Sequence, residues 1–235
     1  MKRFLSFWVV AVIVLVAPFN NADARKKGYG DTLRILAIGN SFSDDGTEYL
    51  PNLLENLDIR NVEVARLYVG GCSLEQHWKF YSESQSPYVF YHSPAGVNKW
   101  SAVKGYSLIR ALEMGQWDII TLQQASGYSG KYDEYYQPYL NNLISLIQKY
   151  QPQAEIVWHM TWAYGSGSNH QHFKYYDCSQ KTMYNGIVDA VGKVVADTPI
   201  ERVLLSGAAL QDLRAGALNN PPLDLTRYGF HLDYG

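Results

Sequence analysis

The stretch Leu33-Arg34-Ile35-Leu36-Ala37-Ile38-Gly39-Asn40-Ser41-Phe42-Ser43 decides how the rest of the chain is read. Leu33 to Ile38 is an apolar run of strand length, Gly39-Asn40 is a turn signal, and a helix-like segment follows Ser41. A serine on the tight turn between a buried strand and a helix can present its hydroxyl at the carboxyl edge of a sheet, beside backbone N–H groups and the helix dipole. Serine is also a good helix cap, so this block alone reads either way and the other blocks decide.

Working outward, Val62–Val69, Asp118–Leu122, Ile156–Met160 and Arg202–Ser206 read as further strands, several with the continuous apolar character of parallel strands buried on both faces. Between them Thr47–Asn56, Ser101–Met114, Tyr135–Tyr150 and Gln180–Ala196 carry apolar residues at helical spacing. This β-α-β-α order predicts a three-layer α/β/α sandwich, with a mostly parallel sheet of about five strands whose carboxyl ends share one edge. Two segments read as long loops: Trp78–Trp100, dense in Tyr, Ser and Pro, and Ala163–Cys178, which carries His170, His172, Phe173, Tyr175 and Tyr176. Nineteen tyrosines and six tryptophans suit a surface that stacks on sugar faces, although core packing accounts for the majority of such rings.

Met1 to Ala24 reads as a secretory signal: Lys2 and Arg3, an apolar stretch Phe4 to Phe19, and the small-x-small site Ala22-Asp23-Ala24. Pro18 and Asn20-Asn21 close that stretch before it reaches the roughly 20 apolar residues of a membrane span. The expectation is a periplasmic or secreted protein in which 25–235 is a single domain, with no stable membrane insertion after cleavage. Net charge is −2 over 235 residues with no basic patch, which disfavours nucleic acid as a partner. Cys72 and Cys178 read equally well as a disulfide, tethering the aromatic loop to the Gly70-Gly71 loop, or as two buried thiols.

The residues that carry chemistry fall after successive strands. Ser41 follows the first. Gly70-Gly71-Cys72-Ser73 follows the second, with glycines that let the backbone approach a substrate. Gln123-Gln124-Ala125-Ser126-Gly127 follows the third, and Gly229-Phe230-His231-Leu232 comes near the end. A nucleophile, a backbone donor loop, an amide loop and a base are the components of acyl transfer through an activated serine and an oxyanion hole.

These four blocks, in this order, resemble the SGNH (GDSL-type) hydrolases, which place their serine early and their histidine late. The strings Leu36–Ser43, Leu67–His77, Ile120–Gly127, Val157–Tyr164 and Leu225–Gly235 resemble an exported bacterial branch of that superfamily labelled a domain of unknown function. An α/β-hydrolase would need a Gly-x-Ser-x-Gly elbow, and none occurs. The resemblance implies that Ser41 attacks an ester carbonyl, His231 moves the proton, and the N–H groups of Ser41 and Gly71 hold the oxyanion, with no metal or cofactor. It groups Asn40, Gln123 and Gln124 with Gly71 as oxyanion or substrate-binding residues, Gln124 being the first choice of side-chain donor and Gln123 the second.

Two positions depart from the family pattern. The acid usually found three residues before the histidine is Tyr228 here, so Asp224 is the candidate for the third catalytic residue, with Asp233 also near. The chain also stops four residues after His231, where related domains continue into a closing helix. The implied activity is an esterase that removes acyl groups, acetyl above all, from carbohydrate. The alternatives are a carbohydrate-binding pseudoenzyme, motivated by Tyr228, and a periplasmic thioesterase or lysophospholipase. His170 and His172 are too few for a metal site, and His159 at a strand end reads as a satisfied core residue.

Overall fold

The computed structural model describes residues 32–97, 99–216 and 224–233; the signal-like segment 1–24 and the residues after Asp233 lie outside them. In chain order the elements are β1 (Leu33–Gly39), α1 (Ser41–Thr47), α2 (Leu50–Asn56), β2 (Val62–Tyr68), α3 (Leu74–Ser82), β3 (Tyr88–Ser93), β4 (Ser101–Tyr106) and α4 (Leu108–Glu113). They continue with β5 (Ile119–Leu122), α5 (Tyr132–Tyr135), α6 (Tyr139–Tyr150), β6 (Glu155–His159), α7 (Gln180–Asp197), β7 (Arg202–Leu204), α8 (Ser206–Ala215) and the short pair β8 (Thr226–Arg227) and β9 (His231–Leu232).

All five expected strands form within a residue or two of their expected ends, and the main sheet runs in the order β4-β3-β2-β1-β5-β6-β7. Strand β1 lies inside it, parallel to β2 on one side and β5 on the other, with Ile38 facing Leu67 and Leu122. The parallel part, β2-β1-β5-β6-β7, brings Asn40, the loop after Tyr68, Gln123 and His159 to one edge.

The sheet has seven strands rather than about five because the segment 78–106 is not the expected loop and helix. Helix α3 begins with a capping box, in which Ser73 Oγ accepts from Gln76 N and Gln76 Oε1 accepts from Ser73 N. It runs through Trp78 to Ser82. Strand β3 then pairs antiparallel with β2, and β4 with β3. Tyr-Val-Phe-Tyr is a strand-forming run of aromatic and β-branched residues, and the surface reading of its tyrosines hid this: Tyr88 and Phe90 are buried. Edge strand β4 is exposed at Ser101 to Gly105, so no apolar alternation marks it. Ser107 Oγ, accepting from Arg110 N, starts α4 after it.

One apolar cluster lies between the sheet and α3, α4, α6 and α7, with Leu36, Ile38, Leu67, Leu122 and Trp158 meeting Leu74, Leu112, Leu143 and Ile147. Full burial of such a side chain contributes about 1.5–3 kcal/mol. Arg66 alternates with Ala65 and Leu67 and so points to the opposite face. There its guanidinium meets Asp44 of α1 at 2.5 Å and lies over the rings of Tyr91 and Trp100 at 4.6 and 4.2 Å. A second cluster gathers Phe42, Trp162, Tyr164, Phe173, Tyr176 and Met183 under the segment 160–178. Many of the tyrosines are therefore core residues.

Candidate active site

Strand β1 turns into α1 at Gly39, where an added Cβ would lie 2.8 Å from Ser43 Cβ and 3.0 Å from the Gln123 carboxamide. Only glycine permits that approach. Asn40 caps the helix: its Oδ1 accepts from Phe42 N at 3.0 Å and from Gln123 Nε2 at 2.7 Å, while its Nδ2 donates to the Cys72 carbonyl at 2.9 Å. One buried side chain thus joins three of the four sequence blocks. Ser41 follows as the first helical residue, half-buried at the sheet edge.

His231 reaches the same helix from the β8–β9 hairpin. Its Nδ1 lies 2.7 Å from Asp45 Oδ2, and its ring packs on Phe42 at 5.8 Å. Asp45 is 3 % exposed in its side chain; Leu232 N donates to its Oδ2 at 3.0 Å and Arg227 Nη2 to its Oδ1 at 3.2 Å. An imidazole that donates from Nδ1 to a carboxylate keeps Nε2 as the basic nitrogen. Ser41 and Asp45 are four apart on one helix, hence on one face.

The carboxylate beside His231 is therefore Asp45, and Asp224 is engaged elsewhere. Asp224 accepts from Ser166 N at 3.3 Å, Ser166 Oγ at 3.0 Å and Gln180 Nε2 at 3.1 Å, which anchors the 163–178 segment. Partial burial pulls its pKa up, but these bonds and the Arg214 charge outweigh that and hold it below the usual carboxylate range. Tyr228 sits in the turn between β8 and β9 at φ 56° and is 79 % exposed. That position faces solvent, and the carboxylate that meets His231 comes from Asp45 instead. The signal for Asp45 was present as an acidic residue one helical turn after the serine, and the family spacing drew attention to the wrong end of the chain.

The glutamine assignments change as well. Gln124 Oε1 accepts from Leu74 N at 3.1 Å and Ala125 N at 2.8 Å, and its Nε2 donates to the Tyr135 carbonyl at 2.8 Å. These bonds brace α3 against the loop after β5 and engage both ends of the Gln124 carboxamide with backbone. Gln123 is the glutamine turned to the serine block: Nε2 donates to Asn40, and Oε1 accepts from His159 Nδ1 at 3.1 Å. His159 Nε2 in turn accepts from Ser206 Oγ at 3.0 Å. Burial lowers the His159 pKa to about 4, so the ring is neutral and bonded at both nitrogens. Gly71 stands at φ 65° with open space where a Cβ would be, the conformation and the clearance a backbone donor needs.

Cys72 is buried, its thiol pushed upward by desolvation, and Cys178 is exposed; both are free thiols. Of the two readings of the pair, the free thiols are what the structure shows, although Cys178 is exposed rather than buried.

The sequence matches the family model described as a domain of unknown function, DUF4886, over residues 34–235. A DUF4886 family protein from Bacteroides uniformis is 35 % identical, with a TM-score of 0.80 over 86 % of this chain and 77 % of its own. Lower identities accompany two fold relatives. A candidate SGNH hydrolase from Slackia heliotrinireducens is 21 % identical, with a TM-score of 0.54 over 86 % of this chain and 91 % of its own. A catalytic mutant of an acetylxylan esterase from Geobacillus stearothermophilus is 13 % identical, with a TM-score of 0.52 over 87 % and 88 %. No curated protein matches the sequence. By sequence the chain belongs to the DUF4886 family, and by its mostly parallel sheet flanked by helices it has the fold of the SGNH hydrolases.

Proposed function

We propose that this chain is an exported serine ester hydrolase that removes acyl groups, acetyl in particular, from carbohydrate. The observation that carries the reading is the buried Asp45 carboxylate 2.7 Å from His231 Nδ1, on the helix that begins with Ser41. Asp45 fixes the tautomer and stabilises the imidazolium. His231 Nε2 takes the Ser41 proton as Oγ attacks the ester carbonyl, and the N–H groups of Ser41 and Gly71 receive the oxyanion. Collapse expels the alcohol, protonated by His231. Water then hydrolyses the acyl-enzyme by the same steps. The acetyl and carbohydrate parts of the reading are supported by an acetylxylan esterase among the fold relatives and by the aromatic segment 163–178; export is supported by the signal-like start.

The experiment is intact-mass measurement after incubation with a fluorophosphonate, for the wild type and Ser41→Ala. One phosphonyl adduct on the wild type and none on the variant is expected. An unmodified wild type overturns the serine reading. The pseudoenzyme alternative was motivated by the missing acid before His231, and Asp45 removes that motive.

A further inference from the structure

Beside Gly71 opens a cleft of about 470 Å³, bounded by Ser73 and Gln76 on one side, Ala125 to Tyr128 on the second and His170 to His172 on the third. That volume lies within the range of small-molecule sites. We propose that this cleft binds the alcohol half of the ester, and that the alcohol it takes is a neutral pyranoside. The inference rests on the ester hydrolase reading and adds to it the place and charge class of the leaving group.

Position is the first argument. Gly71, the backbone donor of the oxyanion site, is also a wall of the cleft. His170 contacts Phe230 at 5.3 Å, and Phe230 contacts His231 at 4.7 Å, so one wall of the cleft is two ring contacts from the proposed base. Chemistry is the second. The third wall belongs to a stack in which Tyr135, Tyr128, His172 and Tyr175 pack ring on ring at 4.2, 4.9 and 5.1 Å, so it is rigid before any ligand arrives. His170 Nδ1 accepts from His172 N at 3.2 Å, which leaves the ring N–H of neutral His170 at Nε2. Gln76 uses its Oε1 on Ser73 and keeps its amide nitrogen for a ligand. An acetyl methyl group can use none of these donors, whereas a pyranose offers hydroxyls to them and C–H surface to the rings.

Charge is the third argument. Of the lining side chains Glu75 is the permanently charged one, and no lysine or arginine answers it there. Desolvation lowers both His170 and His172 below their ordinary value, reinforced for His170 by His172 and His231 and for His172 by Lys174. Both shifts favour the uncharged ring. A uronate or sulfated sugar would meet the Glu75 carboxylate with no lysine or arginine among the lining residues to answer it, Lys174 standing behind His172.

The test compares O-acetylated xylotriose, an acetylated methyl glucuronide and phenyl acetate as substrates of the wild type, His172→Ala and Glu75→Gln. In His172→Ala the kcat/KM ratio of the xylotriose ester to phenyl acetate is expected to fall about tenfold, the effect of losing the ring packing that forms the third wall. In Glu75→Gln the glucuronide ester is expected to gain severalfold relative to the xylotriose ester. Unchanged ratios in both variants, with Ser41-dependent hydrolysis intact, overturn the subsite and leave the esterase standing. If no ester is hydrolysed, the esterase reading fails separately, and calorimetric titration of xylotriose decides the cleft. Binding by the wild type that weakens in His172→Ala supports it; equal binding, or none, overturns it.

Discussion

Asp45 receives His231, the Leu232 backbone and Arg227 at one carboxylate with 3 % of its side chain exposed. Replacing it with asparagine is expected to present an amide to His231 Nδ1 and favour the wrong tautomer. In serine proteases that change lowers turnover by about 10⁴, and a loss of similar order is expected here on phenyl acetate, while Asp224→Asn changes kcat by a few-fold at most. Equal losses in the two variants would return the third catalytic role to Asp224. Free Cys178 and buried Cys72 give a second residue-level expectation: iodoacetamide adds one alkyl group to the native protein and two after denaturation, as read by mass. The places of Ser41, Gly71 and His231 at a strand end or hairpin were legible in the sequence because glycine marks each of those turns. Asp45 and the Gln123-to-His159 bond were not, since a hydrogen-bond partner depends on side-chain direction across elements that the chain alone does not orient.

At the scale of elements, the strand ends are joined by a buried chain from Asn40 through Gln123 and His159 to Ser206. His159, with its folded pKa pushed down to about 4, binds its proton more readily when unfolded, where the ordinary value is about 6.5. The stability it provides is present above pH 6.5 and is lost as pH falls from there towards 4, by about 3 kcal/mol in total. Buried His77, pushed down to about 3, acts in the same direction. Urea unfolding at pH 7, 5.5 and 4 should show the decline, and His159→Gln should shallow it; identical slopes would refute the assignment. The inner parallel strands β1, β2, β5 and β6 were legible because burial makes most of their residues apolar. Strand β4 was not, because its pairing with β3 rather than its own apolar pattern makes it a strand.

Across the whole molecule, the proposed base His231 arrives on a short hairpin that Trp162, Gly165 and Arg214 of α8 hold in place. Trp162 Nε1 donates to the Phe230 carbonyl at 2.7 Å and Gly165 N to the Gly229 carbonyl at 2.7 Å, while Arg214 Nε donates to the Asp224 carbonyl at 2.8 Å. Trp162→Phe keeps the stacking on Phe42, 4.5 Å between ring centroids, and removes the donor. Its kcat is expected to fall about tenfold with KM little changed, since a displaced base weakens the chemical step more than binding; a loss confined to KM would contradict this. The layered architecture was readable from the alternation of elements. The docking of this hairpin was not, because it depends on indole-to-carbonyl bonds between residues 68 apart.

With the proposed nucleophile Ser41 and the carboxylate Asp45 both on α1, the alignment tolerances of the proposed site divide unequally. Four residues of helix set their separation along the axis at about 6 Å, a length fixed by backbone hydrogen bonding and indifferent to how the rest of the chain packs. Alignment error then accumulates at a single joint, the seat of His231. Sequence drift elsewhere in the fold can detune the catalytic geometry mainly through that joint, and compensating changes in its descendants should concentrate around it.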